Sequence, residues 1–247
     1  MTAPAANGHY LVTGGSRGIG AAIVRAAATA GHRVSFTYRD DADAAARLVG
    51  ALGPRVHAVR ADVADTAGAG DLVESAVRAG GPLTVLVNNA GVTGRLGGFL
   101  GTSESEVRNV FDVNVFGLWA MTAAVARYWS GASLPGVVVN ISSVAANTGA
   151  PGEYVGYAAS KAAVDALTLG LGRELAPHIR VVGIAPGTTD TGIHAAAGDP
   201  GRPARVAARV PLGRVATAAE IADAVVFAAS ERASYLTATT IAVTGGL

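Results

Sequence analysis

The chain has 247 residues, half of them hydrophobic and 15% charged, with a formal net charge of +1 and no cysteine. That length admits one large α/β domain or two small ones, and a core that needs no staples. The composition excludes disorder, disulfides, thiolate metal sites and cysteine nucleophiles, and the near-neutral charge gives no general attraction to nucleic acid or an anionic membrane.

Short apolar runs alternate with longer amphipathic stretches along the whole chain. Residues 1–10 lack a basic segment followed by an apolar core, so no secretory signal is expected, and a cytoplasmic protein is the default reading. The first strand is predicted over His9–Thr13 and a helix near Ile19–Ala30 follows a glycine-rich turn. Then come a strand over Arg33–Tyr38, a helix near Ala42–Leu52, a strand over Arg55–Arg60 and a helix near Thr66–Ala79. The second half repeats the pattern: strand Leu83–Val87, helix Glu104–Tyr128, strand Gly136–Ile141, helix Val155–Ala176 and strand Ile179–Ile184. A last helix near Ala218–Ser230 leads into a strand over Thr240–Val243.

Helices begin where a hydroxyl precedes a glutamate by three residues, at Ser103…Glu106 and Thr217…Glu220, a spacing that satisfies two backbone donors reciprocally. Strands separated by helix-length segments make βαβ units, hence a parallel sheet covered on both faces. One domain over residues 1–247 is expected, with a single long irregular insert at Thr188–Arg214, a length that usually marks a lid or binding loop. Mean hydropathy is +0.38, and the longest uncharged stretch lies between Arg127 and Glu153. It contains Pro135, Pro151, Asn140, Ser142, Ser143 and Asn147, so it is not read as a lipid-facing helix.

The turn after the first strand reads Thr13-Gly14-Gly15-Ser16-Arg17-Gly18-Ile19-Gly20. Glycines there let the backbone approach a pyrophosphate, which the positive end of the following helix would hold. The spacing departs from G-x-G-x-x-G, and only its place at the first β–α junction separates it from an ordinary turn. The second strand ends Tyr38-Arg39 with no acid on the strand, where an NAD site needs a carboxylate for the ribose 2′-hydroxyl. Arg39 and Arg17 suit a 2′-phosphate, so NADP(H) is favoured over NAD(H), although Asp40 and Asp41 follow closely.

Tyr157 and Lys161 stand four apart in the fifth predicted helix and share a face. A free tyrosine titrates near about 10, and a nearby cation favours the phenolate, so the pair suits general acid/base work. The same spacing also fits an ordinary exposed pair. Tyr154, the rival phenol, stands about 10 Å along the helix axis from Lys161.

The glycine turn with Tyr157 and Lys161 resembles the short-chain dehydrogenase/reductase family, and the likeness extends from Tyr10 to Gly246. It implies an α/β, single-domain Rossmann fold: a doubly wound seven-stranded parallel sheet with helices on both faces. Gly14, Ser16, Arg17, Gly18, Ile19 and Gly20 match the family's cofactor turn, and Tyr38 and Arg39 the end of the second strand. Asp62-Val63 resembles the adenine contact, Asn88-Asn89-Ala90-Gly91 the N-N-A-G motif, and Pro186-Gly187 through Thr189 and Thr191 the nicotinamide segment. Asn114 and Ser143 complete a catalytic tetrad with Tyr157 and Lys161.

The family's roles imply that Ser143 orients a carbonyl, Tyr157 protonates it as hydride arrives, and Lys161 lowers the tyrosine pKa and binds the nicotinamide ribose. Asn114 would hold a water linking Lys161 to solvent. The interval from Ser143 to Tyr157 is one residue longer than usual, which keeps Ser142 as an alternative. Thr237-Ala238 stands where the family has Thr-Gly, next to a subunit contact. Pro151-Gly152-Glu153-Tyr154 and Gly198–Arg202 resemble glucose-dehydrogenase-like members, while others with this tetrad are acyl-carrier-protein ketoreductases.

The expected activity is carbonyl–alcohol interconversion on a small molecule by a homotetramer paired through the fourth and fifth helices and the C-terminal strand. A catalytically silent dinucleotide sensor or scaffold of the same fold is the alternative. The five histidines show no metal-ligand spacing. Val92–Leu100 and the insert should line the substrate. In the insert, Arg202, Arg205, Arg209 and Arg214 are read as a solvated basic lid or interface in preference to an anion trap assisted by Arg95.

Overall fold

A computed structural model describes residues 8–247; residues 1–7, and with them most of the segment read as carrying no secretory signal, lie outside the described residues. In chain order the elements are β1 (His9–Val12), α1 (Gly18–Thr29), β2 (Arg33–Tyr38), α2 (Ala42–Leu52), β3 (Val56–Arg60), α3 (Ala69–Gly80) and β4 (Val85–Asn88). There follow α4 (Glu104–Phe111), a π-helical turn (Asp112–Gly117), α5 (Leu118–Gly131), β5 (Gly136–Ile141), α6 (Ala145–Thr148) and α7 (Val155–Glu174). The chain ends with β6 (Ile179–Pro186), α8 (Ile193–Ala196), α9 (Arg202–Ala207), α10 (Ala218–Ala229) and β7 (Thr239–Val243).

All seven strands form one parallel sheet in the order β3-β2-β1-β4-β5-β6-β7. Parallel strands buried on both faces need apolar residues at successive positions, and the sequence supplies them. Val12, Val87, Val139 and Val182 point to the face covered by α1 and α10. Their neighbours Leu11, Leu86, Val138 and Val181 point to the face covered by α3 and α5, where Trp129 and Met121 complete the packing. The doubly wound sheet expected from the βαβ pattern is thus present. Its order reverses between β1 and β4, and this opens a crevice beyond their carboxyl ends, the standard ligand position in such sheets.

Two boundaries differ instructively. The segment expected to be one helix over Glu104–Tyr128 carries the π-helical turn at Asp112–Gly117, which hydrophobic periodicity does not report. The insert after β6 is not irregular: it folds into α8 and α9 and closes on the bridge between Thr189 and Ala216. Both expected capping boxes are made, Ser103 with Glu106 and Thr217 with Glu220. The run Glu104–Gly131 is long and apolar enough to cross a bilayer by length and composition. Here its inner face, with Val110, Val113, Leu118, Met121, Val125 and Trp129, is built into the core.

Candidate active site

The first turn of α1 sits at the carboxyl end of β1 and is shaped by polar contacts that leave its own donors uncapped. Thr13 receives the backbone N–H groups of Asn89 and Ala90 on its hydroxyl at 3.0 Å each. Asn89 donates from its side chain to the carbonyls of Thr13 and Gly14, at 2.8 and 3.0 Å. A β-carbon at Gly20 would collide with the Gly14 carbonyl, so the helix can start this close to the turn only with glycine there. Arg17, at the N-cap, makes no side-chain cap, so the N–H groups at the start of this 12-residue helix have no side-chain acceptor there. Ser16 is partly exposed beside them, while Ile19 leans on the core.

Thr191, from the segment after β6, has its β-carbon 3.5 Å from where a Gly18 β-carbon would stand, so the two motifs face each other. Uncapped N–H groups at a helix start are donors of the kind that suit a phosphate. Gly187 is fixed to Val243 by a backbone bond of 2.9 Å, just after Pro186, and Thr189 turns its hydroxyl back to the Gly187 carbonyl at 3.1 Å.

At the end of β2, Tyr38 packs partly on the core and Arg39, like Arg17 at the start of α1, is exposed. Arg39 pairs with Asp40 at 2.7 Å and lies 3.9 Å from Asp62, whose other oxygen accepts from Ala64 N–H at 3.0 Å; Val63 is buried next to it. Asn88 does not face the crevice. Its buried amide donates to Thr122 and to Asn140, both at 2.9 Å, and Asn140 donates on to Thr168, also at 2.9 Å. That ladder ties α5, β4, β5 and α7 together, so Asn88 holds the strand ends in place, and Asn89 is the motif residue at the glycine turn.

The tetrad converges where β4, β5 and α7 meet. Lys161 is buried, donates to the Ile141 carbonyl at 2.7 Å and lies 5.7 Å from the Tyr157 ring centroid. A β-carbon at Gly91 would stand 3.3 Å from Asn114 Oδ1 and 3.5 Å from Lys161 Nζ, which puts the end of the N-N-A-G motif against the same centre. Asn114 spends its side chain on Val92, accepting from its N–H and donating to its carbonyl at 2.9 Å each, and donates to Ser160 at 2.9 Å. Ser160 in turn donates to the Tyr157 carbonyl at 2.7 Å. The Asn114 amide is thus a strut between Val92 and Ser160, and the π-helical turn around it widens the local backbone.

The two serines point in different directions. Ser142 is buried with its hydroxyl on the Lys161 carbonyl at 3.3 Å, whereas Ser143 accepts from Ala145 N–H at 3.1 Å and is close enough to the Tyr157 phenol to draw its pKa down.

Electrostatics here differ from the simple expectation. Burial pushes the Tyr157 phenol above its ordinary value, and the opposing influences are the Ser143 hydroxyl and the charge of Arg202. Burial brings Lys161 down to about 8, with Asp165 resisting. Tyr154 packs its ring edge-on to Tyr157 at 5.2 Å and is pushed up to about 12, first by burial. The 188–214 insert also departs from the reading of a solvated basic surface. Arg205 pairs with Asp199 and Arg214 with Glu220 in the open, but the Arg202 side chain is only 11% exposed. It binds Glu153 at 2.7 Å and Thr188 at 3.1 Å. No periodicity in the sequence pointed to Arg202 or Glu153, since their contact spans loops far apart in the chain. Ser160 was findable, because a serine three residues after Tyr157 on a helix can bond back to it.

A family model described as enoyl-(acyl carrier protein) reductase matches residues 14–247. The chain belongs to the short-chain dehydrogenase/reductase family. It is 37% identical to the uncharacterized oxidoreductase YgfF of Escherichia coli over 242 residues, covering 96% of this chain and 98% of the relative. Among solved structures it superposes on 3-ketoacyl-(acyl-carrier-protein) reductase from Brucella melitensis complexed with NADH, with TM-score 0.90, 29% identity and 97% of each chain covered. It also superposes on a blue fluorescent protein from a metagenomic library in complex with NADPH, with TM-score 0.87, 34% identity and 97% of each chain covered. As a member of that family the chain is an oxidoreductase of CH–OH and C=O groups.

Proposed function

We propose that this oxidoreductase reduces a small-molecule carbonyl with NADP(H) in preference to NAD(H), using Tyr157 as general acid. The observation that carries the reading is the convergence of Ser143, Tyr157 and Lys161 beside Gly91 at the carboxyl edge of β4 and β5. Bound in the crevice, the nicotinamide supplies a hydride. Ser143 positions the carbonyl oxygen, and Tyr157 gives it a proton as negative charge develops there. Lys161 supplies a buried cation that favours the phenolate left behind.

Relatives solved with NADH and with NADPH support a nicotinamide dinucleotide, and the NADP preference rests on Arg39 and Arg17 at the end of β2 and the start of α1. The Arg39–Asp40 pair is no obstacle. An exposed ion pair contributes about 0–1 kcal/mol, and a phosphate dianion offers a guanidinium more.

The homotetramer stays part of this proposal. Phe116 and Trp119 are more than half exposed on the outer side of the π-helical turn and α5, and Leu169 is exposed on α7. Light scattering that finds only monomer removes it. The chemistry is tested by following NADPH and NADH absorbance with ketones, sugars and acyl thioesters. Turnover by the wild type, and its fall by a factor of about 10² to 10⁴ in Tyr157→Phe with NADPH still bound, is expected. An active Tyr157→Phe enzyme overturns the assignment.

A further inference from the structure

Among the arginines of the 188–214 segment, Arg202 stands apart. Its guanidinium is clasped from two sides, by Glu153 at 2.7 Å from the segment before α7 and by Thr188 at 3.1 Å from the segment after β6. Its carbon Cζ lies 5.3 Å from the Tyr154 ring centroid, and that ring meets Tyr157 edge-on at 5.2 Å. Its Nε–H is buried with no partner among the described residues. Neighbouring backbone bonds pin the same junction: Leu96 N–H to the Ala197 carbonyl at 3.1 Å, and Gly97 N–H to the Glu153 carbonyl at 2.7 Å. The two segments expected to line the substrate, 92–100 and the insert, therefore meet the segment before α7 around this ion pair. A solvated surface arginine would be free to move, and its field would be screened within a few ångströms. A buried and clasped one does neither.

We infer that Arg202 is a positioning residue for Tyr157: held by Glu153 and Thr188 over the Tyr154 ring, it seats the lid on the start of α7 and fixes a permanent positive charge beside the phenol. The inference rests on the reading of Tyr157 as the acid/base. The groups around Tyr157 are Lys161 from α7, Tyr154 from the segment before it, Ser143 from the end of β5 and Arg202 from the 188–214 segment; behind them, Asp165 acts on Lys161 and Glu153 holds Arg202. Behind Arg202 lies His194, with Asp190 and Asp199 around it. The direction of the Arg202 influence, which draws the phenol down against burial, agrees with this placement. Glu153 carries the opposite charge, so the inference requires the two partners to act on the phenol with opposite sign.

The opposite signs make the test. Arg202→Met, Arg202→Lys and Glu153→Gln are compared with the wild type in two measurements. One is the pH profile of turnover on whichever carbonyl or alcohol of the absorbance panel is converted best. The other is the phenolate absorbance titration of each protein minus that of its Tyr157→Phe counterpart, which isolates one of the six tyrosines. Arg202→Met is expected to move the phenol titration up by about one pH unit, Glu153→Gln to move it down, and Arg202→Lys to leave it close to the wild type. A titration that stays put in Arg202→Met, or moves the same way in Arg202→Met and Glu153→Gln, reduces Arg202 to a packing contact and overturns the inference. If Tyr157→Phe remains active, the acid/base reading fails by itself, and the absorbance titration still reports whether Arg202 acts on the phenol.

Discussion

Each end of the parallel sheet buries a titratable side chain, and the two are treated differently. At the amino end, His9 of β1 is fully buried with both ring nitrogens partnered, one by the Gly81 carbonyl at 2.8 Å and the other by the Ser35 hydroxyl at 2.9 Å. Burial lowers its pKa, and the neutral ring satisfies both partners as donor to one and acceptor from the other. At the carboxyl end, Lys161 has three donors, and one of them meets the Ile141 carbonyl. Around it lie Gly91, Asn114 and the ring of Tyr157. A buried polar group with every bond made contributes to stability, and one held with bonds to spare is set up to act on something else. The contrast predicts that substitutions at the amino end change folding and leave chemistry alone, while those at the carboxyl end do the reverse.

The largest effect expected on that contrast is at Gly80. A β-carbon there would collide with the His9 ring, and the ring cannot turn away without breaking its bonds to Gly81 and Ser35. Gly80→Ala should therefore destabilise the fold by about 3 kcal/mol, the upper part of the range for overpacking, measured by urea denaturation. Turnover per folded molecule should match the wild type. A stable Gly80→Ala protein with altered kinetics would break the division between the two ends.

At the carboxyl end, Arg39→Asp is expected to raise the NADP Michaelis constant by about 10- to 100-fold, since a guanidinium–phosphate contact gives way to a carboxylate facing a dianion. The NAD value should change far less, and the denaturation midpoint should stay where it is because Arg39 is half exposed. Equal effects on both cofactors would sink the preference for NADP.

How much of this was legible in the sequence follows from the range of the interactions. The strands and the outer helices were readable because burial on both faces writes continuous apolar runs, and because capping boxes such as Ser103…Glu106 are local. Tyr157, Lys161, Ser143 and Asn114 were readable through the order of motifs that the family shares. The commitment of Asn114 to Val92 and Ser160, and the turn of Asn88 into a ladder with Thr122 and Asn140, were not. Both depend on which way a side chain points at a strand end or a helix irregularity, and spacing carries no record of that. The Arg202–Glu153 clasp was hidden for the same reason: 49 residues separate its partners, and each looks like an ordinary loop charge.

The smallest expected effect concerns a residue that belongs to neither end. Ala238, where the family has glycine, takes a positive φ of 55° just before β7. An L side chain in the left-handed region costs roughly 1–2 kcal/mol, and part of that is offset because alanine leaves the unfolded chain less free than glycine would. Its N–H is needed in place, donating to the Val181 carbonyl at 2.8 Å, and a β-carbon on Gly172 of α7 would come within 2.5 Å of the Ala238 nitrogen. The conformation is thus held by β6 on one side and by the close approach of α7 on the other. Ala238→Gly should raise stability by about 0.5–1 kcal/mol in denaturant, with no change in turnover. A loss of stability would mean that the Ala238 methyl packs productively at the junction of α7 and β7, so that contact there outweighs backbone strain.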